Sequence, residues 1–231
     1  MQVVIMAGGS GTRLGELTVN LPKALLPLGG STVLGRLLDR LAAQGMTEAV
    51  ICLGHLGERV RAWVGADWKG VPVRYCVEEM PLGTAGALSL IDDLSPVFLV
   101  VNCDIVTDLD FAAFMAAHRR TGASATLATG EWLETLRFGV VDADPDGHVR
   151  ELREKPETRH TILLGAYVFC VDALRDVLPS RPIREDMPDL IARLIASGAS
   201  VRHYPNSAGW IDVGTPADYE RAKAMCMPAG T

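Results

Sequence analysis

Four short apolar runs, VVIM, AVICL, VRYCV and VFLVV, alternate with segments of helical period, and no other feature of the chain restricts its fold as strongly. In TVLGRLLDRLAAQG, Leu34, Leu37, Leu38 and Leu41 recur at three- and four-residue spacing, which puts them on one face of a helix that ends at Gly45. A shorter helix is predicted over GERVRAWVG, before a strand at residues 71–77. Strand, helix and strand repeated in this way predict βαβ units, hence a parallel sheet covered by helices. Open sheets of this kind take ligands beyond the carboxyl ends of their strands, so the loops that follow strands are where chemistry is expected.

The second half is less regular. SATLAT, FGVVDA, HVRELRE and LLGAYVFCV read as strands, and Asp146-Gly147 between two of them predicts a hairpin. Three helix starts carry their own signals. Asp110 is placed to cap FAAFMAAH, and Asp186 to cap DMPDLIARLIASG, with Pro188 in the first turn. In TPADYERAKAM, Thr215 can cap, Pro216 takes the first position and Asp218 completes a box.

Charge and composition narrow the partners. A net charge of −6 gives no basic footprint for nucleic acid, so an anionic ligand must be held by local cations and backbone N–H groups. No run approaches the roughly 20 apolar residues that span a bilayer, and the first strand begins within two residues of the N-terminus without a secretory pattern. A cytoplasmic protein with no membrane partner is expected. The five cysteines, Cys52, Cys76, Cys103, Cys170 and Cys226, show no CxxC spacing and are read as reduced, buried fillers. The five histidines lack ligand spacing, which argues against a zinc site or a hydrolase triad.

The loop after the first strand, in MAGGSGTRL, fits neither the Walker pattern GxxxxGK[ST] nor the dinucleotide fingerprint GxGxxG. What remains is a backbone-rich turn with Thr12 and Arg13 as donors. LPKALLP then adds Lys23 behind a proline that fixes its approach. Such a set suits a triphosphate.

GGxGTRL followed by PK resembles the sugar nucleotidyltransferases, pyrophosphorylases that join a nucleoside triphosphate to a sugar 1-phosphate. EEMPLGTAGAL, NCDI, FGVV, REKP and GWIDVGTPADY continue the resemblance in order along nearly the whole chain. It implies a Rossmann-like α/β fold, with a mixed, mainly parallel sheet and helices on both faces. It also implies one domain over residues 1–231, with a nucleotide-binding half to about residue 110 and a sugar-phosphate half from about 111. No hexapeptide repeats follow residue 215, so no C-terminal β-helix is expected.

By the same resemblance, Arg13 and Lys23 form the triphosphate clamp, Lys155 holds the sugar phosphate, and Asp104 and Asp212 share Mg2+, these five being the catalytic candidates. The nucleotide would meet Ala7, Gly8, Gly9, Gly11, Thr12, Glu78, Gly83, Thr84 and Cys103, with Gly83 admitting a flat ring. Sugar hydroxyls would meet Gly139, Glu154 and Gly165. Leu164 stands where the family often has asparagine or threonine before that glycine, which points to an unusual sugar.

The implied chemistry is consistent with first principles. A sugar 1-phosphate is already ionised at neutral pH and needs no general base to attack the α-phosphorus, so positioned cations do most of the work. Magnesium takes one or two carboxylates and completes its shell with phosphate oxygens and water. The compact chain and PLGTAGAL lean toward guanylyl transfer to a manno-configured 1-phosphate, mannose or heptose. Uridylyl or thymidylyl transfer is the alternative, as is a non-catalytic sensor of nucleotide sugars, and a homodimer is compatible with either. Glu78, or Glu79 beside it, is the candidate for reading the base, since a carboxylate only accepts hydrogen bonds and guanine offers two adjacent donors.

Overall fold

The computed structural model describes residues 1–178 and 182–226. In chain order the first half contains β1 (Gln2–Ala7), β2 (Pro27–Leu28), β3 (Ser31–Thr32), α1 (Val33–Ala43), β4 (Glu48–Leu53) and α2 (Gly57–Val64). It continues with β5 (Asp67–Trp68), β6 (Val71–Val77), β7 (Val97–Asn102) and β8 (Ile105–Thr107). The second half holds α3 (Phe111–Thr121), β9 (Ala125–Thr135), β10 (Val140–Ala143), β11 (Val149–Arg153), β12 (Glu157–Cys170) and α4 (Val171–Arg175). It closes with α5 (Met187–Ala196), β13 (Val201–Pro205), β14 (Trp210–Asp212) and α6 (Pro216–Cys226).

The large sheet has the order β13-β9-β12-β7-β1-β4-β6-β5. Strands β7, β1, β4 and β6 run parallel, whereas β12 is antiparallel to both β7 and β9. This is the mixed, mainly parallel α/β architecture expected. Every residue of β1 is buried, because helices cover both faces and leave no solvent side to alternate toward. Val3 and Ile5 point into a cluster with α1, α2 and α3, while Val4 and Met6 point into one with α4 and α5.

The local signals are realised. Thr32 caps α1, accepting from Gly35 N–H at 3.0 Å, and Leu34, Leu37, Leu38 and Leu41 are all buried. Asp110 accepts from Ala113 N–H at 2.8 Å, and the Thr215 and Asp218 side chains bond reciprocally at the start of α6. The β10–β11 hairpin turns at Asp144–Gly147. Asp186 holds the N-cap position of α5, yet its carboxylate does not cap that helix. All five cysteines are free; Cys52 and Cys103 are buried and the other three only partly so.

β9 and β12 extend well past the apolar runs that announce them. From Glu131 to Thr161 almost every residue is exposed, Trp132, Leu133 and Phe138 included, so these strands carry an arm into solvent whose mixed polar and apolar residues give no burial pattern to read. No helix of the described residues is long and apolar enough to cross a membrane.

Candidate active site

β1 has β7 on one side and β4 on the other, so the loops leaving the carboxyl ends of all three strands meet. Met6 lies opposite Asn102, and Cys103 N–H donates to Met6 O at 3.0 Å. The loop after β4 packs so closely that a Cβ on Gly54 would lie 2.6 Å from Gly8 O. These loops bound a cleft of about 660 Å³, and Ala7, Gly8, Gly9, Lys23, Glu78, Gly83, Thr84, Cys103 and Asp104 line it. A crevice at this place is where an open α/β sheet binds ligands.

One carboxylate is delivered by the sheet and the other by a separate strand pair. Asp104 follows β7, and β8 behind it pairs antiparallel with β14, setting Asp212 opposite Ile105. Val213 N–H donates to Asp104 O at 3.0 Å, which fixes the two segments side by side. Leu14 from the glycine loop, Leu26 beyond Lys23, Val106 and Val213 are buried together in one cluster, so a shared apolar anchor holds all the elements that carry charge.

Between the two carboxylates lies Lys23, on a short 3-10 turn behind Pro22. Its ammonium is ion-paired with Asp104 and stands 4.0 Å from Asp212 Oδ1. Burial alone would favour the neutral amine, but the attraction of Asp104, and more weakly of Asp212, outweighs it and holds Lys23 above the ordinary lysine range. Asp212 is pushed above the usual carboxylate range by burial first and by the like charge of Asp104 second; Lys23 and Arg13 oppose the rise.

Oδ1 of Asp104 and Oδ1 of Asp212 are both buried without a hydrogen-bond partner. Two carboxylates, each with an unpartnered oxygen, fit a hard divalent cation that fills its remaining positions with phosphate and water. Among the described residues no cluster of three or more His, Cys, Asp or Glu side chains could hold a metal ion.

Glu78 and Glu79 both line the cleft, Glu78 half-buried and Glu79 exposed. Glu78 Oε2 accepts from Leu82 N–H at 2.9 Å, and a Cβ on Gly8 would lie 2.5 Å from its Oε1. Glycine at position 8 thus makes room for this carboxylate. Burial raises the Glu78 carboxyl above the ordinary range and the Leu82 amide moderates the rise.

The small residues of the following loop also make room for another part of the chain. Gly83 lies at φ +78, and a Cβ there would collide with the carbonyl of Glu185, as one on Gly86 would with that of Ile183. The chain at 183–186 crosses directly over this loop, and the glycines admit that crossing. Thr84 is likewise committed: its N–H donates to Asp186 Oδ1 at 3.2 Å, and its Oγ1 accepts from Met187 N–H at 2.7 Å. Cys103 is buried, and desolvation with the Asp104 charge pushes its thiol up to about 12, so it lines the cleft as a neutral thiol.

The remaining candidates stand apart from this cleft. Gly11 adjoins Lys23 from behind, Thr12 is exposed, and the Arg13 guanidinium lies against Gly214, two residues past Asp212. Gly139, Glu154 and Lys155 are neighbours on the exposed arm, where Lys155 sits 4.0 Å from Glu154. Gly165 abuts the Asn102 side chain, with space for no Cβ. Sequence reasoning missed Ser10, His55, Asn102 and Arg184, which also line the cleft. Ser10 and Asn102 lie inside the motifs GGxGTRL and NCDI, a signal that was available; Arg184 arrives on the crossing segment and has no local one.

Residues 2–227 match the nucleotidyl transferase family. The mannose-1-phosphate guanylyltransferase of Mycobacterium tuberculosis is 31% identical over 97% of this chain and 64% of its own length. The UTP–glucose-1-phosphate uridylyltransferase of Synechocystis is 30% identical over 96% and 62%. The chain therefore spans slightly less than two thirds of these relatives. A crystal structure of HddC from Yersinia pseudotuberculosis complexed with GMP-PN superposes with a TM-score of 0.75 at 25% identity, covering 98% of this chain and 99% of that one.

Proposed function

The chain belongs to the nucleotidyl transferase family, and from that premise we propose that it joins a nucleoside triphosphate to a sugar 1-phosphate, releasing pyrophosphate. The favoured pair is GTP with a mannose or heptose 1-phosphate. The carrying observation is the Lys23, Asp104 and Asp212 cluster at the edge of the glycine-loop cleft, with Glu78 half-buried in its lining. Relatives named for guanylyl transfer to mannose 1-phosphate, and the GMP-PN complex of HddC, support the choice of substrates.

In this reading the backbone of Ala7–Gly9 receives the nucleotide, and Glu78 accepts from the N1–H and 2-amino group of guanine. Lys23 and Arg13 face the triphosphate. A phosphate oxygen of the sugar 1-phosphate, positioned by Lys155, attacks the α-phosphorus, and the bond to the β-phosphate breaks. Negative charge passes to the departing pyrophosphate, where cations are worth most. Mg2+, held by Asp104 and Asp212, supplies further neutralisation of the phosphate oxygens when bound. The nucleotide-binding half, to about residue 110, and the sugar-phosphate half beyond it make one domain. Five free thiols fit a reducing, cytoplasmic setting, and the assembly proposed is a homodimer, checked by light scattering.

A matrix of the common triphosphates against several sugar 1-phosphates, scored by pyrophosphate release, tests the reaction and both substrates at once. Turnover is expected with GTP and a manno-configured sugar; no release from any pair overturns the reading, and a pyrimidine preference overturns its nucleotide. Glu78→Gln is expected to raise kcat/KM for UTP relative to GTP by about tenfold, because the amide supplies a donor that uracil can use. An unchanged ratio would remove Glu78 from base recognition. Since burial raises this carboxyl, kcat/KM for GTP should begin to fall on acidification above the ordinary glutamate range.

Lys155→Ala and Arg13→Ala should be separable. The lysine variant is expected to raise the KM for sugar 1-phosphate by roughly tenfold or more, the arginine variant to lower kcat, since its partner charge grows only as the reaction proceeds. Steady-state kinetics in each substrate checks both, and unaltered constants in either variant would strike that residue from the site.

A further inference from the structure

We propose that Asp186 is a positioning residue for nucleotide recognition, latching the base-facing loop through Thr84. The inference rests on reading the cleft as a nucleoside triphosphate site. The wall that carries Glu78 runs into residues 82–86, a loop whose polar groups are satisfied by a strap from the second half of the chain. Glu185 N–H donates to Leu82 O at 2.8 Å, and Glu185 O accepts from Ala85 N–H at 3.0 Å and Gly86 N–H at 3.2 Å. The side chains add a reciprocal pair, Thr84 N–H to Asp186 Oδ1 and Met187 N–H to Thr84 Oγ1. Thr84 therefore caps α5 from a distant part of the chain, and Asp186, which holds the cap position, gives its carboxylate to the loop.

This strap is itself fixed. The carboxylate of Glu185 is buried and ion-paired with Arg193 on α5, and Met187 and Leu190 share a core cluster with Ala85, Ala87 and Leu88. Two residues before Thr84 in the same loop, Leu82 gives its carbonyl to the Glu185 N–H of the strap and its amide to Glu78 Oε2, so a shift of this loop reaches the base-reading group. Thr84 is exposed, so loss of the Asp186 acceptor hands its amide to water; what is lost is the tie between loop and strap, which frees the loop to shift, and with it Glu78. Asp186 need not touch the nucleotide to act in this way. Its effect belongs to nucleotide affinity and base preference, and not to the Lys23, Asp104 and Asp212 cluster.

Three measurements on wild type, Asp186→Ala and Asp186→Asn test the latch. Asp186→Ala is expected to raise the KM for GTP roughly five- to twenty-fold and to narrow the preference for GTP over UTP, with kcat and the KM for sugar 1-phosphate within about twofold of wild type. Asp186→Asn keeps the acceptor oxygen and should restore both values. Hydrogen exchange at the amides of Thr84, Ala85 and Gly86 should quicken in Asp186→Ala alone, without a matching change elsewhere. If the alanine variant does not fold, Asp186→Glu, with its carboxylate displaced by one methylene, carries the same three measurements. A folded variant with unchanged triphosphate KM and exchange rates overturns the proposal, as does an equal change in kcat and in both KM values, or failure of asparagine to rescue. A wild type that releases no pyrophosphate with any substrate pair defeats the functional reading instead, and the exchange rates still decide whether the latch exists.

Discussion

Asp104→Asn and Asp212→Asn are each expected to lower kcat by about 10²–10³-fold at saturating Mg2+, with the fold intact. Asparagine matches the volume and the carbonyl oxygen of aspartate, so what each variant removes is one negative charge. Those charges are costly where they stand. Both carboxylates are at least half-buried or hold a buried oxygen without a hydrogen bond, and Asp212 is raised by burial and by Asp104. A protein keeps two repelling acids in such a place when a cationic ligand uses them. Asp212→Asn relieves the repulsion, so its thermal midpoint should equal or exceed that of wild type while activity falls. Opposite movement of stability and turnover is a pattern that general damage does not produce. Near-normal kcat in both variants, or full wild-type turnover in excess chelator, would remove the carboxylate pair from the reaction.

Lys23→Met is expected to cost about 10²-fold in kcat/KM and about 2–4 kcal/mol in stability. The ammonium side chain is 13% exposed and its Asp104 partner 17%, so the pair is closer to a buried than to a surface salt bridge. Without it two carboxylates face one another with no local counter-charge except Arg13. The pH dependence follows from the directions of the shifts. Lys23 is raised in the folded state, so its contribution is fully present below the ordinary lysine value and lost as pH rises through the folded one. Asp212 is raised as well, so the folded protein takes up its proton more readily than the unfolded chain, and the stability this gives fades as pH rises. The deficit of Lys23→Met should therefore be largest near neutral pH and shrink both on acidification into the Asp212 range and above the Lys23 range. Added Mg2+ should raise the melting temperature of the variant more than that of wild type. Melting curves across pH with and without the metal check this, and a pH-independent deficit would show that Lys23 acts by packing.

What the sequence determined by itself was whatever a few neighbouring residues decide by sterics, capping or periodicity. The leucines of α1 share a face because a helix turns once in 3.6 residues, Asp110 and the Thr215–Asp218 box cap because their reach is three residues, and Pro22 aims the turn that bears Lys23. The alternation of buried strand and amphipathic helix was enough for a parallel α/β sheet, while its mixed character, from the antiparallel β12, was implied only by the family resemblance. Tertiary structure decided the rest. Asp104 meets Asp212 only because β8 pairs with β14, two three-residue strands whose register no local pattern encodes. Glu78 is half-buried where Glu79 beside it is exposed, because Gly8, in the loop after β1, leaves room for the Glu78 carboxylate. Gly83 and Thr84 line the cleft as the sequence suggests, and only the fold shows that a strap from residues 183–187 also packs on them, since no local pattern announces a neighbour so distant in the chain.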